Sequence, residues 1–256
     1  MQPLSHAKHK LLRALLTRKG RAEHGRFVGE GPRLVAEGVR HGVLPEVLVV
    51  CVDRVPPGQR AEVLALAGRL ETVGVAVAAA EPSAFIDLSD TESGQGVLAS
   101  YRIPAPRLEL LTAPGPCTFA VLDGLQDPGN AGTAWRAAAA FGATALLVTP
   151  GTVDPFNPKV VRASMGAVFT VPVLAIPGPE SLPLDVSVYV LRRGGAPVFG
   201  ARFSDRTAMV VGGEARGPGS GWGDATIAIP QTDAVESLNA GVALSIALAA
   251  RFGLAR

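Results

Sequence analysis

Three segments in the second half of the chain gather side chains able to do chemistry. The first, Asp123-Gly-Leu-Gln-Asp-Pro-Gly-Asn130-Ala-Gly132-Thr-Ala-Trp-Arg136, runs from a strand through a Gly/Pro turn, with Asn130 placed to cap a helix whose second turn presents Arg136. The second, Val210-Val-Gly212-Gly213-Glu214-Ala-Arg-Gly217-Pro-Gly219, is rich in glycine, which lets a backbone approach a ligand closely. The third, Ile229-Pro230-Gln-Thr-Asp-Ala-Val-Glu236-Ser237-Leu238-Asn239, leads into a helix, with Ser237 or Glu236 as its cap. Each segment taken singly also fits an ordinary turn or cap. All four histidines (His6, His9, His24, His41) precede this region, and Cys117 falls in an expected buried strand. A Ser-His-Asp triad, a Cys-His pair and a His-ligated zinc are therefore excluded there. No Walker A pattern occurs, and no Gly-x-Gly-x-x-Gly follows the first strand. The available chemistry is that of Arg, carboxylates, Ser/Asn and backbone groups.

The elements that must position these groups follow from periodicity. Leu11, Leu12, Leu15 and Leu16 form one apolar stripe on an otherwise basic helix, and Phe27-Val28 leads into a second helical pattern from Pro32 to Val39. Next come a strand over 47–52, a helix over 59–70, a strand over 73–78, a short helix over 83–88 and a strand over 96–103, which together imply a small α/β unit. Residues 105–116, bracketed by Pro-rich runs, are expected to be a linker. Beyond it the pattern predicts strands at 117–122, 145–148, 168–174, 186–191, 208–211 and 226–229, and helices at 131–141 and 158–165. A final helix over 238–252 is apolar on nearly every face and is expected to be buried. Strands and helices in this rhythm mean a mostly parallel sheet covered on both sides. The three segments then fall at the carboxyl ends of strands, where ligands of α/β sheets sit.

Composition narrows the class. With 256 residues, 48% apolar and 18% charged, the chain has ample material for a core and no run near the ~18 apolar residues of a membrane span. The N-terminal arm also lacks a secretory apolar core, because Arg13 splits its leucines. Two cysteines make no disulfide framework and suit a reducing cytoplasm. Residues 1–40 hold nine basic against three acidic residues, whereas the whole chain carries only +2, so residues 41–256 are net acidic. A basic arm on an acidic body suggests a polyanion, nucleic acid first, although a solvated helix face fits the same charges.

Taken together, the three segments resemble the SpoU (TrmH-type) branch of the SPOUT RNA methyltransferases. Asn130, Gly132 and Arg136 match that family's Asn-x-Gly-x-x-x-Arg. Val210, Val211, Gly212, Glu214 and Gly217 match its second motif, and Ile229, Pro230, Ser237, Leu238 and Asn239 its third. Between them, Arg162-Ala-Ser164-Met-Gly166-Ala looks like the family's Arg-Ala-Ser-x-Gly-Ala helix. The chain departs from the pattern at Gln231, Asp233 and Ala215, where Met, Gly and Gly are usual. Less specifically, Gly25-Arg26-Phe-Val-Gly-Glu30-Gly-Pro-Arg33 resembles the opening of the family's substrate-binding domain, which is similar to small ribosomal RNA-binding proteins.

The resemblance implies an α/β protein. It has an N-terminal substrate-binding domain over 1–104 (with the basic helical arm at about 1–22) and a trefoil-knotted methyltransferase domain over 117–256. The cofactor implied is S-adenosylmethionine, the assembly a homodimer through the C-terminal domain, and neither metal nor membrane is called for. Topology rules alone would argue against a knot. The family's largely backbone cofactor contacts carry over to Gly212, Ile229 and Leu238, with Gly213 and Gly217 beside them. Its functional side chains carry over to Asn130, Arg136, Glu214, Ser237 and Asn239. Arg26, Arg33 and Arg162 would meet RNA. The implied reaction is methylation of a ribose 2′-hydroxyl, with Arg136 as proton acceptor or as an electrostatic clamp on phosphate and developing alkoxide. The two-domain layout favours ribosomal RNA, large-subunit RNA first, over transfer RNA. Housekeeping modification and protection from an antibiotic are both compatible. A catalytically inactive RNA-binding homologue is the rival reading, and intact Asn130, Arg136 and Asn239 argue against it.

Overall fold

Runs of β-branched residues that are buried on both faces build the centres of two separate sheets. The computed structural model describes residues 1–89, 94–213, 217–223 and 225–254. They form two compact units, one of residues 1–104 with 156–169, the other of residues 105–155 with 170–256.

The first unit begins with β1 (Gln2–Pro3), α1 (His6–Ala14), α2 (Arg18–His24), β2 (Arg26–Glu30) and α3 (Pro32–Arg40). It continues with β3 (Val47–Val50), α4 (Arg60–Thr72), β4 (Ala76–Ala79), α5 (Pro82–Leu88) and β5 (Val97–Arg102). The sheet order is β1-β4-β3-β5-β2, with β5 antiparallel to both neighbours. The expected single basic helix is two helices. Thr17 breaks it, its hydroxyl accepting from the Gly20 amide at 3.1 Å. Arg21 is buried and donates to the carbonyls of Leu15 and Leu16, satisfying acceptors that the end of α1 leaves open. Residues 26–30, expected to lead into a helix, are an edge strand. Gly29 belongs there because a Cβ on it would lie 2.4 Å from Leu34 of α3.

The second unit starts with α6 (Glu109–Thr112), β6 (Cys117–Asp123), α7 (Pro128–Ala140) and β7 (Ala145–Val148). Residues 156–169 then join the first unit, carrying α8 (Pro158–Ala163). Phe156 and Phe169 of this segment pack on Phe27 and Tyr101, with centroids 5.1 Å (Phe156–Phe27) and 4.9 Å (Phe169–Tyr101) apart. This packing is why 167–169 is a tight helical turn and the strand expected from 168 begins only at 173. The second unit resumes with β8 (Val173–Ala175), β9 (Ser187–Pro197), β10 (Arg206–Gly212), β11 (Thr226–Ala228) and α9 (Ala240–Leu254). Its sheet, β11-β9-β10-β6-β7-β8, is parallel throughout. The chain winds outward from β6 through β7 to β8, then crosses to β9 and β10, so the topological switch lies between β6 and β10.

Two further expectations change. Residues 105–116 are not a loose linker. They hold α6, whose Leu111 enters the second core, and Arg206 donates to the carbonyls of Leu111 and Gly115 at 3.0 Å each. Helix α9 is buried along Ala240, Gly241, Leu244, Ala247 and Leu248, while Val242 is 41% exposed. Among the described residues no helix is long and apolar enough to cross a membrane.

Candidate cofactor and RNA site

At the switch point, Asp123 ties the loops together. One carboxylate oxygen accepts from the Thr149 hydroxyl at 2.6 Å. The other accepts from the Gly219 amide at 2.7 Å and the Trp222 indole at 2.9 Å. The Thr149 and Thr152 hydroxyls in turn accept from the Gly124 amide, which fixes the start of the turn after β6. Sequence reasoning opened its first segment with Asp123 but gave it no role. Its partners lie 26 to 99 positions away, beyond the reach of local patterns.

The helix that follows starts three residues earlier than expected. Asp127, not Asn130, is its cap, with a carboxylate oxygen accepting from the Asn130 amide at 2.7 Å, and Pro128 takes the first turn. Asn130 is instead a buried first-turn residue whose side-chain oxygen accepts from the Asn239 side-chain Nδ2. Asn239, not Ser237 or Glu236, caps α9, accepting from the Val242 amide at 3.1 Å. Helix α9 lies close on α7 here, and a Cβ at Gly241 would meet the Asn130 carbonyl at 2.8 Å. Arg136 projects exposed from α7, six residues or about 9 Å along the axis from Asn130. Trp135 is fully buried and its indole donates to the Val171 carbonyl, a packing role.

The glycine-rich loop folds back on itself. A Cβ at Gly212 would stand 2.0 Å from the Pro218 nitrogen, and one at Gly213 would meet the Gly124 carbonyl at 2.8 Å. The Gly217 amide donates to the Gly213 carbonyl at 2.8 Å, and Gly217 takes φ +63°, a region costly for residues with a side chain. Glu214 lies outside the described residues.

A cavity of about 520 Å³ opens between these loops. Gly212, Gly213, Gly217, Ile229 and Leu238 all line it, as does Ser237. Asn130, Asn239 and Arg136 are not among its lining residues; Asn239 lies between the lining residues Leu238 and Ala240, and Asn130 is bonded to it. Arg192 and Arg193 of β9 also line it, and sequence reasoning missed both. The cavity suits S-adenosylmethionine. Gly212 and Gly213 of its wall leave no room for a side chain, so a ligand there meets bare backbone donors and acceptors, with apolar cover from Val211, Ile227 and Leu238.

In the first unit, Arg26 is half-buried and shares Glu46 with Arg102. Burial raises the pKa of the Glu46 carboxyl, but hydrogen bonds and charge from the two guanidiniums outweigh that and hold it below the usual range. Arg33 and Arg162 are brought together on a cavity of about 580 Å³, with Glu30 and Glu37 beside them. Glu37 is engaged by Arg40 at 2.7 Å. Gly166 is required there, since its φ is +97° and a Cβ would lie 2.9 Å from the Glu37 Cβ.

Comparison with known proteins places these features. Residues 118–249 match the SpoU rRNA Methylase family, and residues 7–99 match the MRM3-like substrate binding domain. The 23S rRNA (guanosine(2553)-2′-O)-methyltransferase RlmP of Bacillus subtilis is 30% identical, over 96% of this chain and 97% of its own. The 23S rRNA (uridine(2479)-2′-O)-methyltransferase of Streptomyces viridochromogenes is 28% identical, over 95% of this chain and 88% of its own. The crystal structure of the SpoU methyltransferase AviRb from that organism, in complex with AdoMet, superposes with a TM-score of 0.82 at 26% identity, covering 98% of each chain. An AdoMet-bound rRNA methyltransferase from Sinorhizobium meliloti superposes at 0.77 and 26% identity, over 99% of this chain and 97% of its own.

Proposed function

Since the chain belongs to the SpoU rRNA methylase family, we propose that it transfers the methyl group of S-adenosylmethionine to a ribose 2′-hydroxyl of large-subunit ribosomal RNA. The observation that carries this reading is the convergence of Gly212, Gly213, Gly217, Ile229 and Leu238 on one cavity at the switch point, beside the bonded pair Asn130 and Asn239. When bound, S-adenosylmethionine supplies an electrophilic methyl group and leaves as a neutral thioether. What remains for the protein is to place a weakly acidic alcohol and stabilise its developing charge. Arg136 is exposed on α7 and offers a planar fork of N–H donors, so its role is to clamp the neighbouring phosphate and stabilise the developing alkoxide, while the 2′-hydroxyl proton passes to solvent water as the oxygen–methyl bond forms and the sulfur–methyl bond breaks. Asn130 and Asn239 fix α7 to the start of α9, and Ser237 offers a hydroxyl at the cavity. Glu214 is assigned to the same site by its place in the second motif.

In this reading residues 1–104 with 156–169 form the RNA substrate-binding unit, and residues 105–155 with 170–256 the catalytic unit. Arg33 and Arg162 supply RNA contacts from their shared cavity, and Arg26 orders the strand that leads to them. The half-covered apolar face of α9 supports a homodimer through the C-terminal domain. Family membership supports the trefoil knot and a cytoplasmic setting. The test is incubation with radiolabelled S-adenosylmethionine and, separately, ribosomal and transfer RNA, followed by mapping of alkali-resistant sites. Label in one ribosomal nucleotide, lost with Arg136→Ala, is the expected result. Label in transfer RNA alone would overturn the substrate, and absence of cofactor binding would overturn the activity.

A further inference from the structure

Strand β9 departs from its neighbour at the cavity rim. It pairs with β11 at Val190–Thr226 and again at Ala196–Ile227, so one step along β11 corresponds to six along β9. Residues 191–195 therefore stand out as a bulge, a device that re-aims side chains beside functional sites. Its shape is fixed by glycine. Gly194 has φ +81°, and a Cβ at Gly195 would lie 2.8 Å from the Ile227 backbone. The bulge carries two consecutive arginines into the cavity wall, each gripping a different loop. Arg192 donates to the Pro218 carbonyl at 3.4 Å, on the glycine-rich side. Arg193 donates through one terminal nitrogen to the Glu236 carbonyl at 2.9 Å and through the other to the Asp233 carboxylate at 2.8 Å.

We propose that Arg193 is a positioning residue that fastens segment 231–237 over the cofactor cavity and so sets how long S-adenosylmethionine stays bound. The proposal rests on the assignment of that cavity to the cofactor. The segment is exposed and has no helix or strand of its own, yet Gln231, Glu236 and Ser237 form part of the cavity wall. Something outside the segment must hold it. A single guanidinium fork fixes two points three residues apart, a carbonyl and a carboxylate, with a separate terminal nitrogen donating to each. Gln231 adds a 3.4 Å bond to the same Glu236 carbonyl, closing the segment on itself. An exposed ion pair alone contributes little, and the Asp233 side chain is 98% exposed, so the latch rests on the two bonds acting together.

The test compares wild type with Arg193→Met, Asp233→Asn and the double variant in two measurements. The first is hydrogen exchange at the amides of 231–238 in cofactor-free protein, where Arg193→Met is expected to exchange on the order of tenfold faster. The second is stopped-flow dissociation of S-adenosylmethionine, expected to quicken about five- to tenfold in Arg193→Met and about twofold in Asp233→Asn. KM for the cofactor should rise more than kcat falls. The double variant should be no faster than Arg193→Met, because both changes cut the same latch. Unchanged exchange and dissociation in Arg193→Met, or additive effects in the double variant, would overturn the proposal. A wild-type protein that binds no cofactor would instead overturn the cavity assignment, while the exchange measurement would still decide whether Arg193 holds the segment.

Discussion

In the first unit the more buried guanidiniums are internal ties. Arg21 closes the end of α1, and Arg26 shares Glu46 with Arg102. In the second unit the arginines beside the cavity hold loops rather than helices, and Arg136 stands exposed on α7. A count of basic residues thus overstates the charge that the N-terminal region offers to RNA. The contrast extends to glycine. Gly212 and Gly213 of the cavity wall are wedged against backbone, whereas several in the first unit face open space.

The sharpest way to break this contrast is Gly212→Ala. A Cβ 2.0 Å from the Pro218 nitrogen cannot be accommodated by a side-chain shift, so the loop must move. Cofactor affinity should fall by more than about a hundredfold, read by calorimetry, a loss of over ~2.7 kcal/mol. Retained affinity would show that the loop does not form the cofactor wall.

Next in size is Asn239→Ala, which removes the cap of α9 and the donor to the buried Asn130 oxygen together. A lost cap costs about 1 kcal/mol and a lost buried partner about 1–3 kcal/mol. Thermal unfolding should drop by roughly 4–16 °C for a chain of this size. Asn239→Asp keeps the capping acceptor and should recover part of that loss.

How much of this was legible depends on how far apart the partners lie. The motifs around Asn130, Gly212 and Ile229 stand at strand ends, so the parallel rhythm and the local residue types were enough to place them. Asp123 and Arg193 went unassigned because their roles exist only after the sheet forms. Asp123 meets Trp222 across 99 positions, and Arg193 is aimed by a bulge that depends on pairing with β11. Strand β2 was missed for a similar reason, since its five residues are held by pairing with β5 and by Leu34 against Gly29. Helix α9 misled in the other direction. Its composition is apolar all round, but the unit covers only one stripe of it.

The first unit's claim on RNA can be divided between its arginines. Arg33→Ala should weaken RNA binding and reduce the slope of log affinity against log salt by about one, the mark of a single lost phosphate contact. Glu46→Gln should leave that slope alone and lower thermal stability at pH 7 by roughly 2 °C. Its folded pKa is depressed, so the stabilisation is present above the ordinary carboxylate range and lost as pH falls through it. The difference between Glu46→Gln and wild type should therefore vanish in acid. A difference that persists there would mean that shape, not charge, holds Arg26 and Arg102.

The smallest effect comes from the glycine that differs most from Gly212. Gly68 is exposed within α4, and a Cβ on it would meet no atom within 4 Å. Alanine there adds no clash, and it restricts the unfolded chain more than glycine does, so Gly68→Ala should stabilise by about 0.5–1 kcal/mol. If the two units unfold in separate steps, the gain of roughly 1–4 °C belongs to the first unit's transition alone. Cofactor affinity should stay at the wild-type value. A gain shared by both transitions would show that the units unfold as one cooperative body, and a loss would mean that α4 meets a partner on that face.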